Sequence, residues 1–307
     1  MDDRIRLWTE PTPVHPVPRL AEALGLHPDR LLMKRDDLIG WGGGGNKARK
    51  LERSLGRAVA RGATTIVTTG APQSNHARMT AAAGATLGLD VVLVLEGHAV
   101  AERGNVLLDA LYGARIVWSG DEGAEPRAAE VVAELEAAGA RVHRVAFGGS
   151  DAHSVQGFVD AGHELREQVG EVDHVVVALG SGGTMAGLVE ALGPERVLGV
   201  HCGAVADPRA VVAGFLAERG TGIAAGALRI DEDRVGPGYA HLTDEARAAL
   251  VLVARTTGVL LDPTYTARAA AGLLAAARAG SLGPEDRVVL WHSGGVPGLF
   301  GHPQLGA

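Results

Sequence analysis

From residue 51 onward the chain alternates between two kinds of apolar pattern. TTIVTTG, DVVLVLEG, RIVWSG and RVHRVAF are short and apolar through most of their length. Between them, LERSLGRAVARG, NHARMTAAAGATLG, NVLLDALYG and EPRAAEVVAELEAAG are longer and mix apolar with charged positions at helical spacing. Short runs without a polar face predict strands covered on both sides. The intervening helices supply that cover, so a parallel sheet is expected. A second round begins at about Ser150: HVVVALG and RVLGVHC read as strands, TMAGLVEAL and PRAVVAGFLAERG as helices. The long helices TDEARAALVLVARTTG and YTARAAAGLLAAARAG follow, and then the late strand RVVLWHSGG. The pattern predicts an α/β protein of two lobes, dividing near GGSD at 148–151, each lobe a mostly parallel sheet flanked by helices. Ahead of it all, a proline-rich opening predicts an extended arm, a short helix near 21–25 and a strand at 30–35.

Composition narrows the function. The 44 glycines in 307 residues are about twice the usual share of roughly 7%, and many sit at the ends of apolar runs, where sheets of this kind bind ligands. A net charge of −7 with no block of lysine and arginine argues against nucleic acid as a partner. No apolar stretch is long enough to span a bilayer, so a soluble, cytoplasmic protein without a membrane partner is expected. The single cysteine, Cys202, lies in the apolar run VLGVHC and reads as a small buried hydrophobe. No metal site is expected.

Lysine is the unusual residue. Lys34, Lys47 and Lys50 are the only three, all within one short stretch, and the other 26 basic residues are arginine. An arginine stays protonated, whereas a lysine amine can lose its proton and form a Schiff base with a carbonyl. Lys47 follows four glycines in GWGGGGNKARK. A general scarcity of lysine would explain the count without chemistry.

Two further loops carry polar groups. GSGGT, comprising Gly180, Ser181, Gly182, Gly183 and Thr184, follows a strand and opens a helix, which makes an anion site of its exposed N–H groups. A dinucleotide fingerprint would want glycine at Met185 and an acid where His201 and Cys202 stand, and no Gly-Lys-Ser/Thr exists for a P-loop. A single phosphate fits; so does a plain strand-to-helix turn. A phosphate site together with a singular lysine suggests pyridoxal phosphate. GAPQSNH at 70–76 then offers Ser74 to a substrate and Asn75 to the cofactor's ring hydroxyl, although both residue types also cap helices. Tyr239 in GPGY and Tyr265 in LDPTY follow proline turns, while Tyr112 in DALYG reads as helix-end packing.

In order, KRDDLIGWGGGGNKARKLE, GAPQSNHARMTAAAGATLGL, GSGGTMAGL, GPGY, LDPTYTARAAAGL and WHSGG resemble the motifs of the D-cysteine desulfhydrase and 1-aminocyclopropane-1-carboxylate deaminase family. That family belongs to the tryptophan-synthase-β-like, fold type II pyridoxal phosphate enzymes. The resemblance runs from Lys34 to His302. It implies a Schiff-base role for Lys47, contact of Asn75 with the ring hydroxyl, and a phosphate held by Gly180 to Thr184. Ser74, Tyr239 and Tyr265 would face a small amino-acid substrate. Lys50 would be a neighbour of the site or a surface cation, and Lys34 would tether the loop. The expected organisation is a large cofactor domain of 1–47 and 151–307, with 48–150 inserted as a small domain, the site between them, and a homodimer.

Ring-opening members typically have an acid after the tyrosine corresponding to Tyr265; here stands Thr266, and WHSGG adds Ser293. A hydroxyl beside a pyridine nitrogen cannot favour its protonated form as a carboxylate does. That points to β-elimination, and SNH at 74–76 resembles the desulfhydrases, where the deaminases have SNQ. The expected reaction is D-cysteine to pyruvate, sulfide and ammonia, the α-proton leaving to the lysine amine or to a tyrosinate. L-cysteate, 1-aminocyclopropane-1-carboxylate, and a non-catalytic cofactor-binding role are the alternatives; Arg78 reads as a ligand for a sulfonate or carboxylate or, as is commoner for such an arginine, as a structural ion-pair partner. The chain departs from the family pattern in its four glycines Gly42 to Gly45, in Trp41 and in Met185.

Overall fold

The computed structural model describes residues 4–305. Ten strands run β1 Val14–Pro16, β2 Leu31–Arg35, β3 Thr65–Gly70, β4 Asp90–Leu95, β5 Arg115–Trp118, β6 Val142–Arg144, β7 His174–Leu179, β8 Val197–His201, β9 Arg229–Asp231 and β10 Val288–His292. The helices are α1 Pro18–Ala23, α2 Lys47–Ala60, α3 Asn75–Leu87, α4 Asn105–Leu111, α5 Ala124–Ala137, α6 Gln156–Val169, α7 Gly183–Leu192, α8 Pro208–Glu218, α9 Asp244–Thr257, α10 Thr266–Arg278 and α11 Val296–Leu299. The strands form two sheets, ordered β1-β2-β10-β7-β8-β9 and β5-β4-β3-β6. Every pairing is parallel except that of β1 with β2. The predicted fold class, two mostly parallel sheets between helices, is the one observed.

Both faces of the larger sheet are covered, and this explains its uniformly apolar strands. Along β7, Val175, Val177 and Leu179 pack with α6, α7 and α8, while Val176 and Ala178 pack with α9 and α10. Alternate residues thus enter different cores. Each such valine or leucine taken out of water contributes about 1.5–3 kcal/mol. The six residues of β3 are all buried.

Some elements escape the pattern. Residues 151–173, to which it assigns nothing, hold α6, and its buried Phe158, Ala161, Gly162 and Leu165 follow helical spacing. β1 and β9 are three-residue edge strands, too short to show a period. The helix expected from Leu51 starts earlier, at Lys47. Residues 1–3 and 306–307 of the expected large domain lie outside the described residues. No helix of the described residues is long and apolar enough to cross a membrane.

A buried ionic network locks the proline-rich arm to the larger sheet. Arg49 on α2 pairs with Asp36 and Glu164, and Trp291 on β10 donates to Asp36 at 2.9 Å. Lys34 donates to Glu164, to Gln168 and, at 2.9 Å, to the Thr12 carbonyl. It therefore holds the arm to α6 and does not tether the glycine loop. Burial works against the Glu164 carboxylate, but the Arg49 guanidinium and Lys34 ammonium outweigh it and hold the group at about 2.

Candidate active site

The four glycines before Lys47 answer to backbone geometry. Gly42, Gly43, Gly44 and Gly45 have φ of 61°, 76°, 80° and 126°, a region where a Cβ is strained. At Gly44 a Cβ would also stand 2.5 Å from the Asp37 carbonyl oxygen. The curl turns carbonyls inward, where fully buried Arg78 on α3 donates to Gly42 and, at 3.0 Å, to Gly44. Asn46 then donates its N–H to the Ser293 carbonyl at 3.0 Å. Arg78 is accordingly a brace for this loop and not a sulfonate ligand.

Lys47 opens α2 with its amine 6.0 Å from the centroid of the Tyr265 ring. Burial pushes that amine down to about 8. Lys50, one turn on, is fully buried, so it is not a surface cation. Burial, then the Lys47 charge, pushes its amine well below the ordinary range. A neutral amine has two protons and one lone pair. Lys50 donates to the Gly148 carbonyl at 2.7 Å and to Ser150 Oγ at 2.8 Å, and Lys47 supplies a hydrogen bond to the lone pair.

The loop 180–184 lies on the other side of these amines. Gly182 has φ of 84° and caps α7, whose first N–H groups lack helical acceptors. Around them stand the hydroxyls of Ser150 and Ser181, 2.8 Å apart, and of Thr184, which accepts from Asn46 Nδ2 at 3.2 Å. At Gly183 a Cβ would meet Ser150 Oγ at 2.6 Å and displace that hydroxyl. Ser293 lines the same recess with Asn75 and Gly180.

A cavity of about 260 Å³ opens from this recess, lined by Lys47, Ser74, Asn75, His76, Ser181, Tyr239 and Tyr265 among others. Ser74 is both a helix cap and a cavity residue: its Oγ accepts from the Ala77 N–H at 3.1 Å, which leaves its own proton to donate. The Asn75 side-chain oxygen accepts from Asn105 at 3.0 Å, so its NH₂ is turned elsewhere. The Tyr239 and Tyr265 hydroxyls are 2.5 Å apart. Burial pushes Tyr239 up to about 12 and Tyr265 well above its usual value. Both phenols stay protonated at neutral pH, which removes the tyrosinate expected as a base.

His76 has a determinate tautomer. The Thr68 hydroxyl gives its proton to the Val145 carbonyl at 2.9 Å, so at 2.9 Å from His76 Nε2 it accepts. Nδ1 is then a bare lone pair, buried and without a partner. Burial, with the charges of Lys47 and Lys50, pushes the ring well below its usual range and keeps it neutral. Thr266 stands behind the wall, its hydroxyl donating to Asp262 Oδ1 at 2.7 Å. Asp262 in turn takes the N–H groups of Thr264, Tyr265 and Thr266. Cys202 is buried, and burial pushes its thiol up to about 12. Tyr112 closes the end of α4 and packs in an apolar cluster.

Sequence reasoning passed over Glu96 and Phe147, which also line the cavity. Glu96 directly follows β4 and was within reach of the rule that ligands gather at the carboxyl ends of parallel strands. Phe147 ends the run RVHRVAF expected as a strand; β6 stops at Arg144 and Phe147 sits on the turn after it, within reach of the same rule.

A family model described as "Pyridoxal-phosphate dependent enzyme" matches residues 5–294. A Pyrococcus furiosus protein named as a candidate 1-aminocyclopropane-1-carboxylate deaminase is 38% identical over 313 residues, covering 97% of this chain and 93% of its own. A D-cysteine desulfhydrase of Klebsiella pneumoniae is 37% identical over 322 residues, 98% of this chain and 97% of its own. Among solved structures, an "ACC deaminase homologue" superposes with a TM-score of 0.89 at 32% identity, over 98% of this chain and 94% of that one. The processed form of threonine deaminase isoform 2 from Solanum lycopersicum, at 19% identity, shares the fold with a TM-score of 0.68 over 92% of this chain and 79% of that one.

Proposed function

The chain belongs to the pyridoxal-phosphate dependent enzyme family, as a lyase of the 1-aminocyclopropane-1-carboxylate deaminase and D-cysteine desulfhydrase type, and on that premise we propose β-elimination on a small amino acid. D-cysteine is the proposed substrate, yielding sulfide, pyruvate and ammonia. The observation that carries this reading is the convergence in one cavity of the Lys47 amine, the Ser74 hydroxyl and the tyrosine pair, next to the recess at the α7 N-terminus.

The residues present fit the cofactor. The hydroxyls of Ser150, Ser181 and Thr184 and the N–H groups of 181–184 form a donor set suited to a phosphate, with the Lys50 amine behind it, holding Ser150 in place. Asn75 and Ser293 would flank the ring, and Lys47 would hold the aldehyde carbon. Thr266 would approach the ring nitrogen only through an oxygen whose proton is committed to Asp262. When bound, pyridoxal phosphate supplies the electron sink that acidifies the substrate's α-C–H.

This chain's residues do the rest. The Ser74 hydroxyl and the N–H groups opening α3 bind the α-carboxylate. An amine at about 8 is close enough to neutral pH for Lys47 to take the α-proton and return it, so Lys47 is the base. The phenols of Tyr239 and Tyr265 keep their protons; one proton joins the two hydroxyls, and the other is donated toward the departing thiolate. Loss of the α-proton and the β-thiolate leaves an enamine, and water converts this to pyruvate and ammonia. Thr266 supports elimination over ring opening, because Asp262 is saturated by its own loop and no other acid backs the threonine.

Purified, cofactor-loaded protein given D-cysteine is expected to release sulfide and pyruvate in equal amounts, with L-cysteine and 1-aminocyclopropane-1-carboxylate inert in parallel reactions. Ammonia from the cyclopropane substrate, without sulfide from D-cysteine, would overturn the choice of substrate. A homodimer, and the division of the chain at 47 and 150 into two domains, belong to the same proposal, and sedimentation equilibrium tests the former.

A further inference from the structure

The cavity is uneven in charge. Among the described residues its only lining cation is Lys47, whose amine the proposed reaction occupies. Glu96 stands in the same wall, exposed and therefore at the opening to solvent. Its carboxylate is near enough to Tyr239 to act on that phenol's proton. His76 also lines the cavity, and burial keeps its ring neutral, so it adds no positive charge to the wall. The arginine best placed in sequence to answer a second anion, Arg78, is spent on the carbonyls of Gly42 and Gly44.

One anion is provided for. The α3 N-terminus and Ser74 take an α-carboxylate. A second anionic group on the same molecule would find the Glu96 carboxylate and a neutral imidazole, with no free cation among the described lining residues to offset its desolvation. Resting on the reading of this site as one for small amino acids, we infer that Glu96 and His76 restrict it to substrates whose β-substituent is uncharged, such as a thiol, a hydroxyl or a halide. Sulfonates, sulfinates and carboxylates are excluded at binding. Discrimination here works by repulsion, since an unpaired like charge built into a partly enclosed site disfavours the charged competitor.

The test compares serine with cysteate, each as both enantiomers, by titrating the cofactor-loaded protein and reading the change in its visible absorbance, which requires binding but no elimination. Wild type is expected to bind the preferred serine enantiomer at least tenfold more tightly than either cysteate. Glu96→Gln is expected to narrow that ratio by about three- to tenfold, and Glu96→Lys to narrow it further; residue 96 is exposed, so both variants fold. Equal binding of serine and cysteate by wild type, or a ratio indifferent to residue 96, overturns the inference while leaving D-cysteine turnover intact. A yellow protein that responds to neither amino acid and does not consume D-cysteine overturns the underlying reading, and this inference with it.

Discussion

Two glycine-rich loops meet at the site, and they use glycine for different reasons. In Gly42–Gly45 all four residues have positive φ, and the demand is conformational. In 180–184 only Gly182 does; Gly183 is small because Ser150 presses on it. The first loop contributes its carbonyls, which point inward to Arg78, and it aims Lys47. The second contributes its N–H groups, which point outward to whatever binds. Similar composition therefore conceals opposite polarity, and damage to the two loops should differ in kind.

The largest expected effect is chemical. Lys47→Ala should abolish the visible absorbance of the bound cofactor and lower turnover by at least about a thousandfold, and a yellow, active variant would sink the assignment. Next, Gly44→Ala combines strained backbone with a clash against the Asp37 carbonyl, and should cost about 4 kcal/mol in urea unfolding. Arg78→Met keeps the apolar stem but removes both charged hydrogen bonds, for a loss of about 3 kcal/mol.

A pH effect tests the same brace. Asp109, fully buried on α4, is raised to about 7 by burial, a shift that the charge of Arg78 only partly offsets. An acid raised in the folded state binds its proton more tightly there than when unfolded, so stability is greatest at low pH and falls as pH rises through the folded value. Unfolding free energy should drop by about 2 kcal/mol between pH 5 and pH 7, and Asp109→Asn should remove that slope. The smallest stability change is expected for Gly183→Ala, under about 1 kcal/mol because Ser150 can rotate, yet cofactor retention measured by dialysis should fall about tenfold. Were Gly183→Ala to destabilise as much as Gly44→Ala, the contrast between the loops would collapse.

Much of this was legible in the chain. Apolar strands between helices marked both sheets, and the scarcity of lysine drew attention to Lys47 before any geometry did. What stayed hidden depends on contacts between distant segments. Nothing near Lys50 signals that its amine is enclosed, since its partners Gly148 and Ser150 come about a hundred residues later. Arg78 could be read as an anion ligand or as a structural partner, because a sequence shows its charge and not the carbonyls that absorb it. Thr266 likewise carried no sign of Asp262 holding its proton.

The hydrogen bonds from Lys50 to Gly148 and Ser150 join the helix on which the chain leaves the larger sheet to the segment on which it returns. Both crossings are pinned together within one helical turn of Lys47. The two sheets are thereby tied to each other beside the reactive amine, which stands at their junction and not within either one.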